Sequence, residues 1–215
     1  MPRTMPNLTG NLQAEVNRAL ALAEAGETVR AHLHANSQLN REITVQRLQL
    51  IYEMAFLHIF VHWEVFLEES FVRYLCGYAG PLGPQVLVQG TFERTITSAR
   101  LRLLGGQQYI LWHSAQGVQS RGQKYFVGGL HENVVASGRP RLEWFAAVRH
   151  YIAHKNSDAR LKFDQACMSL CGRRYPGSRP GAFLRTVAVT TSGPPQRWLE
   201  IIGQELARLA GQIVP

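Results

Sequence analysis

Residues 41–76 contain neither proline nor glycine, and most of their side chains are apolar. Nothing in such a stretch turns the chain, so it predicts one long helix over about 41–78. Asn36, Ser37 and Asn40 supply cap-like residues before it, and Gly77, Gly80, Pro81, Gly83 and Pro84 end it. Its centre, 50–67, is apolar enough to raise a membrane span, but Glu53, His58, His62 and Glu64 would then have to enter lipid. A central helix surrounded by protein fits those four residues, so no membrane partner is expected.

The flanking segments extend the helical reading. Leu12, Val16, Ala19, Leu20 and Ala23 recur at helical spacing until Gly26, and a second helical piece follows over 28–35. Residues 81–138 are irregular. A helix is expected over 95–104, stopped by Gly105-Gly106, while 85–90 and 123–127 read as short strands or loops. Order returns at Ser137-Gly138-Arg139-Pro140, where Pro140 suits a first helical position and Trp144, Phe145, Val148 and Ile152 form an apolar stripe. Asn156-Ser157 breaks that helix, and Ser157 can cap another that ends at Gly172. Residues 173–181 form a basic Pro/Gly linker and 183–190 are expected to be extended. Ser192-Gly193-Pro194-Pro195 starts a last helix over about 195–213, with Trp198, Ile201, Ile202, Leu206, Leu209 and Ile213 on one face. The fold class is therefore all-α. One domain is expected over 1–215, with core helices at about 41–78 and 140–171 and an irregular insertion at about 81–138 between them.

Charge then narrows the partner. The net charge is +8, and 20 of the 23 basic residues are arginine. Guanidinium groups bind phosphate through paired hydrogen bonds, which makes nucleic acid the leading partner class. Cys76, Cys167 and Cys171 are few, odd in number and without a Cys-x-x-Cys pair, so they read as small core side chains in a reducing compartment. The first ten residues hold no apolar leader, and a cytoplasmic location is expected. No Gly-x-Ser-x-Gly elbow, phosphate-binding Gly-rich Lys loop or dinucleotide fingerprint occurs.

Chemistry concentrates in Val148-Arg149-His150-Tyr151-Ile152-Ala153-His154-Lys155-Asn156. At about 100° per residue, Arg149 and His154 lie roughly 140° apart on a helix, so they do not share one face. His154 falls at an expected helix C-terminus, where the macrodipole favours the protonated imidazole and suits it to moving protons. This segment resembles the HEPN superfamily signature: Arg, four to six residues, then His, often with a polar residue after the Arg and Ala before the His. Arg149, His150, Ala153 and His154 supply those elements. Trp63-Glu64-Val65-Phe66 on the long helix is similar to the Trp-Glu-x-Phe helix of HEPN nucleases in toxin and defence systems.

The resemblance implies a HEPN-like helical bundle that dimerises so that two Arg–His pairs face one cleft. It also implies endoribonuclease activity on RNA without a metal or other cofactor, leaving a 2′,3′-cyclic phosphate and a 5′-OH. Arg149 and His154 would be catalytic. Glu64 would support them, with Arg149 as its first expected partner and Glu53 as the competing carboxylate. His150 and Asn156 flank the pair as supporting residues. Some HEPN toxins carry a modifiable Tyr at the position that Asn156 occupies here, which removes that acceptor, although the resemblance leaves room for an antitoxin or regulatory partner.

Arg173, Arg174, Arg179 and Arg185 form a basic run able to grip phosphate, or else a solvated linker. Two other readings compete. His58/His62 and His150/His154 are each four apart, and a helical bundle can build a metal site from such pairs. Non-catalytic HEPN domains also serve as nucleic-acid-binding or protein-interaction modules.

Overall fold

The computed structural model describes residues 3–33, 38–83, 85–175, 177, 179–189 and 194–215. Ala35, Asn36, Ser37, Pro84, Thr190, Ser192 and Gly193, on which several boundary expectations rest, lie outside the described residues. The fold is all-α. Its helices are α1 (Leu8–His32), α2 (Gln38–Glu42), α3 (Val45–Leu75), α4 (Ile96–Leu104), α5 (Ala115–Tyr125), α6 (Leu130–His154), α7 (Ser157–Cys171), α8 (Pro180–Arg185) and α9 (Trp198–Ile213). Two short strands, β1 (Arg3–Thr4) and β2 (Tyr78–Ala79), pair in parallel. The chain divides into two compact units: Met1–Gln13, His62–Glu143 and Leu206–Pro215 form the first, and Ala14–Val61 and Trp144–Glu205 the second.

The first unit is built around the C-terminal half of α3. Phe71 and Tyr74 are buried there beside His131 of α6 and Phe126, with ring centroids 4.6 Å apart for Phe71–Phe126 and 5.0 Å for Phe71–His131. The Tyr74 hydroxyl donates to the Ile213 carbonyl at 2.7 Å and so fastens the end of α9. Trp63, Phe66 and Leu67 are buried, whereas Glu64 is only half-buried and Val65 is half-exposed. The tryptophan and phenylalanine of the Trp-Glu-x-Phe element are thus core residues, with stacked rings 5.7 Å apart.

The segment expected to be an irregular insertion folds into two helices. Thr95 and Ser98 cap α4 reciprocally, at 3.0 Å and 3.3 Å, and Ser114 caps α5 by accepting the Gly117 amide at 3.1 Å. Residues 85–90 and 123–127 meet through an isolated antiparallel bridge, Val88 with Phe126. α6 starts at Leu130, so Pro140 lies inside the helix and not at its first turn. A mid-helix proline removes one backbone bond, a cost of about 3 kcal/mol.

In the second unit, α1 runs unbroken through Gly26, where two pieces were expected. A Cβ at that position would meet Leu48 Cδ1 at 2.8 Å, so the glycine serves close packing on α3 and does not end a helix. The expected helix over 41–78 is instead two helices, α2 and α3. Thr44 accepts the amides of Arg47 through its hydroxyl, at 3.2 Å, and of Leu48 through its carbonyl, at 3.0 Å, which starts α3 afresh. Residues 183–185, expected to be extended, belong to α8, whose Phe183 packs between Phe163 and Trp198 with centroids 6.2 Å and 5.4 Å away. The last helix begins at Trp198, somewhat later than 195.

Glu27 ties three elements together. It accepts from Tyr52 at 3.0 Å and from Arg185 at 2.7 Å and 3.1 Å, with Arg197 at 3.4 Å. Burial would raise its pKa, but the hydrogen bonds from Arg185 and Tyr52 and the two guanidinium charges outweigh it and hold the carboxyl below its ordinary value.

His131 is fully buried, and burial, opposed by a backbone hydrogen bond at Leu67, pushes its pKa from 6.5 down to about 3. Ser70 donates to the Phe66 carbonyl at 2.7 Å, so the imidazole Nε2–H donates to the Ser70 hydroxyl at 2.8 Å. A base depressed in the folded state takes its proton first when unfolded. Stability is therefore unaffected above pH 6.5 and falls as pH drops from there towards 3. Urea unfolding at pH 7 and pH 5 should show wild type losing about 2 kcal/mol more than His131→Phe across that interval, at about 1.4 kcal/mol per pH unit.

Candidate active site at the end of α6

α6 continues as regular helix to His154, and Lys155 then turns the chain with φ 48°, a left-handed conformation. Its amide still reaches the Tyr151 carbonyl, at 3.1 Å. Asn156 follows and caps α7, its side chain accepting the Ala159 amide at 2.8 Å. The cap is thus Asn156 and not Ser157, which is the first residue of the helix. Two residues separate the helices, and the asparagine's side chain is committed to the turn.

The helix does not loosen to bring Arg149 onto the face of His154. The residues that share a face are His150 and His154, with ring centroids 4.6 Å apart and planes 52° apart. Arg149 and His150 are half-buried, and His154 is exposed. Burial is the first cause of a lowered His150 pKa, followed by the charges of His154, Lys162 and Arg149, with Asp158 opposing. Asp158 and Lys162 pair one turn apart on α7, at 2.8 Å. The end of α6 therefore carries two imidazoles and Arg149, with Lys155 and Lys162 each held against a carboxylate, Glu53 and Asp158.

Glu53, expected as a competitor for Arg149, has other partners. Its Oε1 accepts the Gly181 amide at 3.1 Å, and Oε2 lies 3.5 Å from Lys155 Nζ. Gly181 has no alternative there, because a Cβ would come within 2.2 Å of the Gln49 carbonyl oxygen. Glu64 lies in the first unit, where its Oε1 is 3.9 Å from His113 Nδ1. Lys155 and Lys162 were not singled out from sequence; the signal lay in Lys155 following His154 directly and in the Asp158/Lys162 spacing of four.

The basic run divides. Arg185 is held by Glu27 through two hydrogen bonds, a structural task the other three do not share. Arg173 is exposed, lies over the Tyr175 ring at 5.0 Å and donates twice to its hydroxyl, both at 3.2 Å. Arg174 and Arg179 are exposed. Among metal-ligating side chains, His58 Nε2 lies 2.8 Å from Glu15 Oε2, and Arg18 already holds both oxygens of that carboxylate at 2.7 Å. Cys167 is buried, and Cys171 directs its thiol to the Cys167 carbonyl at 3.0 Å, as expected of packed thiols.

Set against family models, curated proteins and solved structures, the chain matches none. By length and composition, α3 is the described helix able to cross a membrane, and half of its most apolar window is buried.

Removing the repelling charge beside His150 should raise its pKa. Ring-proton NMR titration should place His150 below 6.5 in wild type and higher in His154→Gln. An unchanged His150 midpoint would mean that the rings do not interact electrostatically.

Proposed function

We propose that the chain is an endoribonuclease of the HEPN type, with Arg149 and His154 as its catalytic pair. The observation that supports this reading is the end of α6, where two imidazoles lie 4.6 Å apart and Arg149 directly precedes one of them in the chain. RNA brings its own nucleophile in the 2′-OH, so the protein must take that proton, protonate the departing 5′-oxygen and offset charge on the phosphorane. An imidazole acting as base removes the 2′-OH proton as O2′ bonds to phosphorus. The P–O5′ bond breaks, and an imidazolium donates its proton to O5′. The products are a 2′,3′-cyclic phosphate and a 5′-OH, and no metal is required by this scheme.

In this reading two copies of the chain meet so that both His154 side chains and both Arg149 side chains act on one phosphate. His150 is a supporting residue, and Asn156 acts through the turn it caps. Arg173, Arg174 and Arg179 extend the phosphate-binding surface. A toxin or defence role in the cytoplasm, with an antitoxin or other regulator as partner, follows from the resemblance of the Arg149–His154 and Trp63–Phe66 elements.

Purified protein incubated with total RNA in EDTA should release cyclic-phosphate ends, and His154→Ala or Arg149→Ala should each lower the rate by about 100-fold or more. Cleavage indifferent to both substitutions would refute the site. RNA binding with no cleavage by wild type would instead indicate a non-catalytic binding module.

A further inference from the structure

We propose that a cleft in the first unit, beside Trp112, is a nucleotide subsite: Arg121 takes a phosphate of single-stranded RNA and Tyr109 stacks on a neighbouring base. The segment entering α5 and the first turns of that helix line an open cleft of about 570 Å³, with Gln107, Gln108, Tyr109, Ser114 and Arg121 among its walls. That volume falls within the roughly 300–1,000 Å³ of ordinary ligand clefts.

Arg121 is unlike the structural arginines of this unit. Arg73 sits on Glu69, Arg100 on Glu68 and Glu69, and Arg102 on Glu93. Among the described residues no carboxylate lies within ion-pair distance of Arg121, although it is half-buried. Its Nη2 donates to the Leu111 carbonyl at 2.7 Å, its Nε is buried without an acceptor, and the guanidinium lies over the Trp112 ring at 4.7 Å. Trp112 is itself buried and packs on Phe71 at 5.5 Å, so it is a fixed platform. Burial lowers the pKa of Arg121, the sign of a cation held out of water without a counter-charge. The ring offsets part of that cost, and an arriving anion would offset the remainder.

Tyr109 supplies the second half of the site. It is 69% exposed, whereas Tyr52, Tyr74, Tyr125, Tyr151 and Tyr175 are buried. It lines the Arg121 cleft and also a neighbouring one of about 240 Å³ that includes Leu103, Leu104 and Ile110. An open aromatic face between two clefts, next to a cation lacking a carboxylate, matches the base-plus-phosphate repeat of a nucleic-acid strand. An acidic peptide would satisfy Arg121 and leave Tyr109 unused. The preference for a strand over a free nucleotide rests on the ribonuclease reading; the preference for an anion bearing a flat ring does not.

The test is fluorescence anisotropy with a labelled, single-stranded 2′-O-methyl oligoribonucleotide, which lacks the 2′-OH and so cannot be cut by the proposed chemistry. Arg121→Gln should weaken binding about tenfold and reduce the salt dependence by about one phosphate contact. Tyr109→Ala, at an exposed position where misfolding is not a concern, should weaken it about five- to 100-fold with the salt slope kept, and Tyr109→Phe should restore it. Uridine monophosphate should displace the probe better than inorganic phosphate does. Wild-type affinity in both Arg121→Gln and Tyr109→Ala would overturn the subsite. Equal competition by inorganic phosphate would overturn the stacking role, and a free nucleotide binding as tightly as the oligonucleotide would overturn the strand as occupant. Cleavage lost with this binding intact counts against the α6 site alone, and the converse result counts against this subsite alone.

Discussion

In the second unit a buried carboxylate, Glu53, accepts the Gly181 amide at 3.1 Å and faces Lys155 at 3.5 Å. Those two contacts tie together α3, the start of α8 and the turn that closes α6. An unpartnered buried carboxylate would cost several kcal/mol, so each contact has a reason to persist. Gly181 enforces the arrangement sterically, since any side chain there would collide with the backbone of Gln49. The placement of Lys155, and with it the end of the helix bearing His150 and His154, follows from this joint. Glu27 of α1 performs the parallel task by gathering Tyr52, the residue before Glu53, with Arg185 and Arg197.

The first unit handles its buried titratable group in the opposite manner. Among the described residues His131 meets no counter-ion, and it remains neutral among Phe71, Tyr74 and Phe126, hydrogen-bonded to Ser70. Glu53 is met by donors, the Gly181 amide and Lys155, whereas His131 gives up its charge because rings surround it. These are the two available solutions when desolvation has to be met within a helical core. Arg121 adopts neither of them, and for that reason its cleft stands out from the rest of the unit.

The helices that were legible in sequence have strong local signals. α4 lies between Thr95 and Gly105, α7 ends at Gly172, and the buried face of α9 matches the periodic residues from Trp198 to Ile213. The misread places are those where packing overrides a local breaker. Gly26 looked like a stop and is a contact, and Pro140 looked like a start and lies mid-helix. Thr44 gave the converse error, because one side chain recapping the backbone divides a run that periodicity joined. At the site, Arg149, His150 and His154 were readable because they are neighbours in sequence. The pairing of Arg185 was not readable because its partner, Glu27, is 158 residues away, a distance that no local pattern reports. The cleft at Arg121 was hidden for a similar reason: only folding brings the 107–112 segment against α5.

The turn at Lys155 and Asn156 has a consequence for which changes the chain can accept. With only two residues between α6 and α7, one of them left-handed and the other committed to a cap, the connection has no slack. A one-residue insertion would rotate α7 by about 100° relative to its present register and turn Phe163 away from Tyr151. It would also carry Asp158 and Lys162 away from His150. Homologous chains that keep this core are therefore expected to hold the length of the connection constant and to keep a side chain able to cap α7 at position 156.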